Sequence, residues 1–208
     1  MNLTQLPDSV LLHILSFVPH SDLFEICYTL EEEITYRLCT LSKDPSLWRK
    51  IVLTRPLNRI RLKKLVPLLH SKTKEILITG SLRGPSISEY FLESLRRRCQ
   101  NLESLSFVDV VLDVHTSFFR TLSIKSLIKL HLIRVKIINL PFIRSNYSSP
   151  FRNFSKIFPL IQELKLVEAS WLHESDMIHI KKSKNIQLII EVHNKNVQKK
   201  TKRIKFAR

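Results

Sequence analysis

The chain has 208 residues, 44% of them apolar and two of them glycine, with a formal net charge of +16. This length admits one ordinary globular domain or a small module joined to a short repeat array, and the composition excludes a disordered or glycine-linked architecture. The charge is unevenly spread: residues 1–54 carry 4 basic and 7 acidic side chains, 55–180 carry 20 and 10, and 181–208 carry 10 and 1, so at least two modules are expected, with a basic end suited to acidic proteins, membrane surfaces or nucleic acid.

The opening MNLTQLPDS lacks a basic stretch followed by an apolar one, and no apolar run approaches the ~20 residues that span a bilayer. A soluble intracellular chain, cytoplasmic and/or nuclear, is the expectation. Cys27, Cys39 and Cys99 are odd in number and contain no C-x-x-C pair, so neither a disulfide framework nor a zinc knuckle is expected.

In LPDSVLLHILSFV a helix should begin at Pro7 and Asp8, which suit the first turn and the positive end of the helix dipole. It should end near Val18, ahead of Pro19. Ser9, His13, Ser16 and His20 draw one narrow polar stripe, while Val10, Leu11, Leu12, Ile14, Leu15, Phe17 and Val18 cover the rest. A helix apolar nearly all round must be buried on more than one side; either a partner protein or the segments that follow must supply the cover. Ser21 is the expected N-cap of a second helix starting at Asp22. Asp44 followed by Pro45 marks a third, in DPSLWRKI.

Leu6-Pro7-Asp8, the run from Val10 to Val18, Asp22-Leu23 and Asp44-Pro45-Ser46-Leu47-Trp48 together resemble the F-box, a module of about three helices. The family implies docking onto the Skp adaptor of cullin-based ubiquitin ligases. By that resemblance Leu6, Pro7, Val10, Leu11, Ile14, Leu15, Val18, Leu23 and Trp48 divide between adaptor contact and the module's own core. Leu6, Pro7, Leu11 and Leu15 are expected on the contact side, Leu12 and Phe17 in the core. The stretch FEICYTLEEEITYRLCTLSK is longer than the family pattern, and Ile34, Arg37 and Leu41 align with it by placing an insertion around Glu31, Glu32 and Glu33.

After an expected linker helix over 55–73, short apolar alternations recur in KEILITG, NLESLSF, SLIKLHLI, LIQELKLV and NIQLIIEV, each predicting a strand. The pattern L-x-x-L-x-L or a close variant falls on Leu102, Leu105, Phe107, then Leu127, Leu130, Leu132, then Ile161, Leu164, Leu166. A period of roughly 20–29 residues is the signature of leucine-rich repeats. The longer interval before Leu164 contains RSNYSSPFRNFS, whose Ser, Asn and Pro content predicts a surface loop. ISEYFLESLRRRCQNL predicts a helix with Tyr90 or Phe91, Leu92 and Leu95 inward and Cys99 closing onto Asn101, a Cys-x-Asn-Leu junction similar to that of F-box proteins with leucine-rich repeats.

The expected fold is therefore α/β: a short N-terminal three-helix F-box over 1–54, then four to five stacked repeats over 74–192 forming a short solenoid of parallel strands plus helices. A basic, disordered tail is expected over 193–208. Period-two alternation directs Ser104, Ser106 and Val108, then Lys129, His131 and Ile133, then Glu163, Lys165 and Val167 out of the concave face. Ser104, Ser106, Lys129, His131, Glu163 and Lys165 are the candidate target-binding residues, and the cations among them favour an acidic or phosphorylated target.

Catalytic and metal signatures are not found. His173 and His179 in HESDMIH lie six apart rather than four and are expected on the surface. Gly80 and Gly84 alone cannot build a phosphate loop, and packing accounts for Cys39 and Cys99 better than nucleophilic roles. In the tail KNVQKKTKRIKFAR a solvated end is the first reading, a nuclear-import address the second and nucleic-acid contact the third. Two functions follow. One is a non-catalytic substrate receptor without cofactors, holding the Skp adaptor, and through it a cullin scaffold, at one end and a target at the other. The other is a basic leucine-rich-repeat protein that binds nucleic acid or an acidic scaffold without ligase association.

Overall fold

The proline ring of Pro7 presets the backbone ahead of α1, which runs Asp8–Leu15 in the computed structural model. The structure describes residues 5–28, 33–55, 58–114, 118–139, 149, 151–181, 186–194 and 197–205. α2 is His20–Ile26 and takes Pro19 as its N-cap. The cap expected at Ser21 is displaced because that side chain turns inward, where its Oγ accepts from Thr54 N at 3.3 Å. α3, Glu33–Leu41, packs against both α1 and α2.

Asp44 caps as expected, its Oδ1 accepting from Ser46 N at 2.8 Å. Only a 3-10 turn, Pro45–Trp48, follows, and Lys50–Leu53 then extends as β1. The β-branched pair Ile51-Val52 favours the pleat over a helix, and Ile51 and Leu53 point into the core. The sheet thus starts at Lys50, well before the first strand expected near residue 74.

The five predicted strands are present as β2 (Glu75–Thr79), β4 (Ser104–Val108), β6 (Lys129–Ile133), β8 (Glu163–Val167) and β9 (Gln187–Asn194). With β1 they pair in chain order as six parallel strands. The register builds two core rows: Ile51, Ile76, Leu105, Leu130, Leu164, Leu188, and beside it Leu53, Ile78, Phe107, Leu132, Leu166, Ile190. Parallel strands need crossovers. These carry α4 (Arg59–Leu65), α5 (Glu89–Arg98), α6 (Phe118–Leu122), α7 (Phe154–Ile157) and α8 (Glu174–Lys181).

Short strands β3 (Ile87–Ser88), β5 (Val111–Asp113) and β7 (Lys136–Ile138) pair in parallel as a second, three-stranded sheet. Between β4 and β5 the chain turns at Asp109, and between β6 and β7 at Arg134, both with positive φ; Glu168 after β8 repeats the geometry. Gly80 closes β2 where a Cβ would stand 2.9 Å from the Asp109 carbonyl oxygen, so the neighbouring turn can approach only a glycine.

Two expectations are corrected. In the part of the expected surface loop that is described, Ser149 and 151–155, Arg152, Asn153 and Ser155 are exposed but Ser149, Phe151 and Phe154 lie inward: Phe151 and Phe154 join Phe119, Phe158 and Trp171 in a buried aromatic cluster. Polar composition hid phenylalanines whose spacings of three and four place them on one helical side. The basic end is not a separate disordered tail either: Val197–Lys205 forms β10, antiparallel to β9, with Ile204 opposite Leu188. The apolar run of β9 leaves an edge that the chain covers with itself. Among the described residues, no helix is long and apolar enough to cross a membrane.

Candidate functional site

At about 100° per residue, α1 divides into three stripes. Leu11 and Leu15 form the inward one, 2% and 4% exposed. Roughly a third of a turn away, Val10, Ile14 and Phe17 form an apolar outward stripe, 40%, 41% and 76% exposed. Exposed Pro7 and half-buried Leu6 and Val18 flank it. The polar stripe of Ser9, His13 and Ser16 is exposed, and the Phe17 ring meets the edge of His13 at 5.0 Å.

This arrangement reverses part of the sequence reading. Leu11 and Leu15, expected to face the adaptor, are enclosed by their own chain, as are Leu23 and Trp48. Phe17, expected in the core, is 76% exposed in the turn just past α1, and Leu12 is half-buried. Leu15 joins the main buried cluster, and against α1 packs α3, a helix the sequence reading did not place. Arg37 fastens it, its guanidinium donating to the Leu6 carbonyl at 2.8 Å and to the Asp8 carboxylate at 3.0 Å. Glu31 and Glu32, where an insertion was placed, lie outside the described residues.

Trp48 is locked by donating Nε1–H to Ser42 O at 2.7 Å. Beside it the half-buried His20 ring donates to Leu47 O at 3.2 Å, and burial pulls its pKa below the usual histidine range. Tyr28, sandwiched near Lys43 and Lys64, donates its hydroxyl to the Lys64 carbonyl and is pushed up to about 12 by burial. That bond ties the N-terminal helices to α4.

The second surface is the sheet face opposite the core rows. Strand alternation places Ser104, Lys129 and Glu163 in one row, Ser106, His131 and Lys165 in the next, and Val108, Ile133 and Val167 in a third. All six candidate target-binding residues are therefore brought together. They are partly spent on one another: His131 Nε2 lies 2.8 Å from Glu163 Oε1, Ser106 Oγ lies 3.3 Å from His131 Nδ1, and Lys165 reaches Glu191 at 3.7 Å. Since a carboxylate only accepts, His131 Nε2 donates to Glu163. Lys129 stays exposed without an ion pair to a described residue. The apolar row and Glu191 were not among the candidates, although period-two alternation carried through NIQLIIEV would have found Glu191.

Burial pushes the Cys99 thiol up to about 12 and raises that of Cys27, so both stay neutral near pH 7. His173 is exposed and His179 half-buried, and no group of three or more His, Cys, Asp or Glu among the described residues could hold a metal ion. A scan against protein-family models returns no match to this chain, and a search of the curated proteins returns none.

Proposed function

We propose that this chain is the substrate-recognition subunit of a Skp–cullin–F-box ubiquitin ligase, with residues 1–54 as the F-box and the following strands as a short leucine-rich-repeat solenoid. Its N-terminal helices hold the Skp adaptor, and its polar sheet face holds a target protein. The chain makes no bond itself; it raises the effective concentration of target lysines near a ubiquitin carrier supplied by other subunits. The observation that carries the reading is the outward stripe Val10, Ile14 and Phe17, adjacent apolar side chains that the described residues leave 40%, 41% and 76% exposed. Chain-order pairing of parallel strands with Leu105, Leu130, Leu164 and Leu188 in register supports the repeat reading. Lys129 and the Val108–Ile133 strip suit an acidic or phosphorylated segment that also offers an apolar side chain.

Co-expression with the Skp adaptor tests this. The full chain should be recovered as a stoichiometric complex, and Ile14→Asp or Phe17→Asp should abolish recovery while leaving the circular dichroism spectrum intact. Leu11→Asp is unsuitable alone, because a charge at that enclosed position unfolds the module. Equal recovery of wild type and Ile14→Asp sinks the proposal. One observation favours the rival, a basic protein holding nucleic acid or an acidic scaffold: the basic end extends a sheet edge. Salt-dependent retention on nucleic acid that disappears on deleting residues 195–208 would select it.

A further inference from the structure

Between α4 and the segment entering α5 lies a cleft of about 380 Å³. Its floor is Leu62, Val66 and Phe91, all close to fully buried, while Ile60 and Tyr90 stand beside it 65% and 67% exposed. Solvated apolar side chains of this size around a concave apolar floor gain by acquiring a cover.

The polar groups narrow what that cover is. Arg59 and Lys63 lie one turn apart on the same side of α4, where i and i+4 positions meet, and both line the cleft. Neither makes an ion pair with a described residue, whereas Arg61 between them is paired with Glu25 at 2.5 Å. Across the cleft Ser88 makes no capping bond to α5, so its hydroxyl can donate to a ligand. The same lining includes one carboxylate, Asp113, which accepts from Asn139 Nδ2 at 2.7 Å.

We propose that this cleft binds a small organic monoanion, a single carboxylate or sulfonate on an aromatic or branched apolar body. Two cations against one carboxylate leave a single positive charge to neutralise. A phosphate dianion or a polyanionic backbone would bring surplus negative charge against Asp113. The volume lies near the lower end of the roughly 300–1,000 Å³ common for small-molecule sites, enough for an aromatic acid. The floor holds the apolar body, and Arg59, Lys63 and Ser88 hold the acid group. None of these residues lies on α1 or the sheet face, so the site stands or falls independently of the ligase reading.

Ligand-observed NMR on the full chain, with naphthoate and its neutral amide as probes, tests the site. Naphthoate should bind saturably, and the amide about tenfold more weakly, the worth of a charge-assisted contact. Arg59→Gln with Lys63→Gln should weaken naphthoate by about tenfold or more, and Tyr90→Ala should weaken both probes together. All three positions are exposed, so circular dichroism should be unchanged. Equal binding of acid and amide, or unchanged naphthoate affinity in the folded double variant, overturns the proposal. So does a glutamate-rich peptide that binds at Arg59 and Lys63 when naphthoate does not, since the occupant would then be an acidic protein segment.

Discussion

Asp109 and Arg134 occupy the same point of successive turns, with φ of 54° and 49°, a region that costs an L side chain about 1–2 kcal/mol. Backbone bonds hold them there, from Asp109 N to Ile133 O at 3.0 Å and from Arg134 N to Val167 O at 2.8 Å, and the two side chains add to this. Arg134 Nε and Nη2 donate to the two Asp109 oxygens at 2.5 and 2.6 Å, a bidentate pair that fixes the spacing of adjacent turns. The guanidinium holds the Asp109 carboxyl below the usual carboxylate range. A depressed folded-state pKa contributes stability above the unfolded value of about 4, and that contribution is lost as pH falls through the folded value. Both side chains are partly solvated, 29% and 40% exposed, so screening keeps the pair within about 1 kcal/mol. Asp109→Asn, which tolerates the same backbone, should therefore cost about 0.5–1 kcal/mol at neutral pH. Urea titrations should show the difference from wild type vanishing in acid; a difference independent of pH would assign the cost to packing instead.

Elements whose sequence repeats a simple period were legible. The alternation in KEILITG, NLESLSF, SLIKLHLI, LIQELKLV and NIQLIIEV gives β2, β4, β6, β8 and β9, and Phe91, Leu92 and Leu95 give the inward side of α5. The α1 surface was half legible: periodicity showed that it carries more apolar area than one face needs, but which stripe turns inward depends on elements that pack on it from elsewhere in the chain, α3 among them. β3, β5 and β7 are two or three residues long, too short to hold a period, and the turns before β5 and β7 use Asp and Arg where a glycine would have signalled them. β10 was masked by its charge. As the last strand of the sheet it covers the edge of β9. Ending the chain after Asn194 should thus expose β9, with Leu188, Ile189 and Ile190 adjacent on a free edge. Size-exclusion chromatography at micromolar concentrations should show the shortened chain as a larger species than the full one, and Ile189→Lys should reverse this. Unchanged elution would mean that β10 protects nothing.

Across the whole molecule the charge and composition mark a boundary near residue 54, yet packing does not pause there. β1 belongs to the N-terminal segment and pairs with β2, and one continuous cluster of buried side chains runs from Leu15 to Leu188. A sheet and core that continue across that boundary couple the two segments, so one cooperative transition is expected. The two tryptophans sit at opposite ends of that cluster. Trp48 is buried among the N-terminal helices; Trp171 donates to Val135 O at 2.9 Å and stacks on Phe151. Trp171→Phe leaves a reporter of the front, Trp48→Phe a reporter of the back. Because either replacement shifts stability, each variant is compared with itself: its fluorescence midpoint in urea should equal its own far-ultraviolet circular dichroism midpoint, as one cooperative transition requires. A Trp48 signal lost at lower urea than the circular dichroism would show the N-terminal helices melting alone. The seam drawn by charge at residue 54 would then be a seam in energy, despite the strand that crosses it.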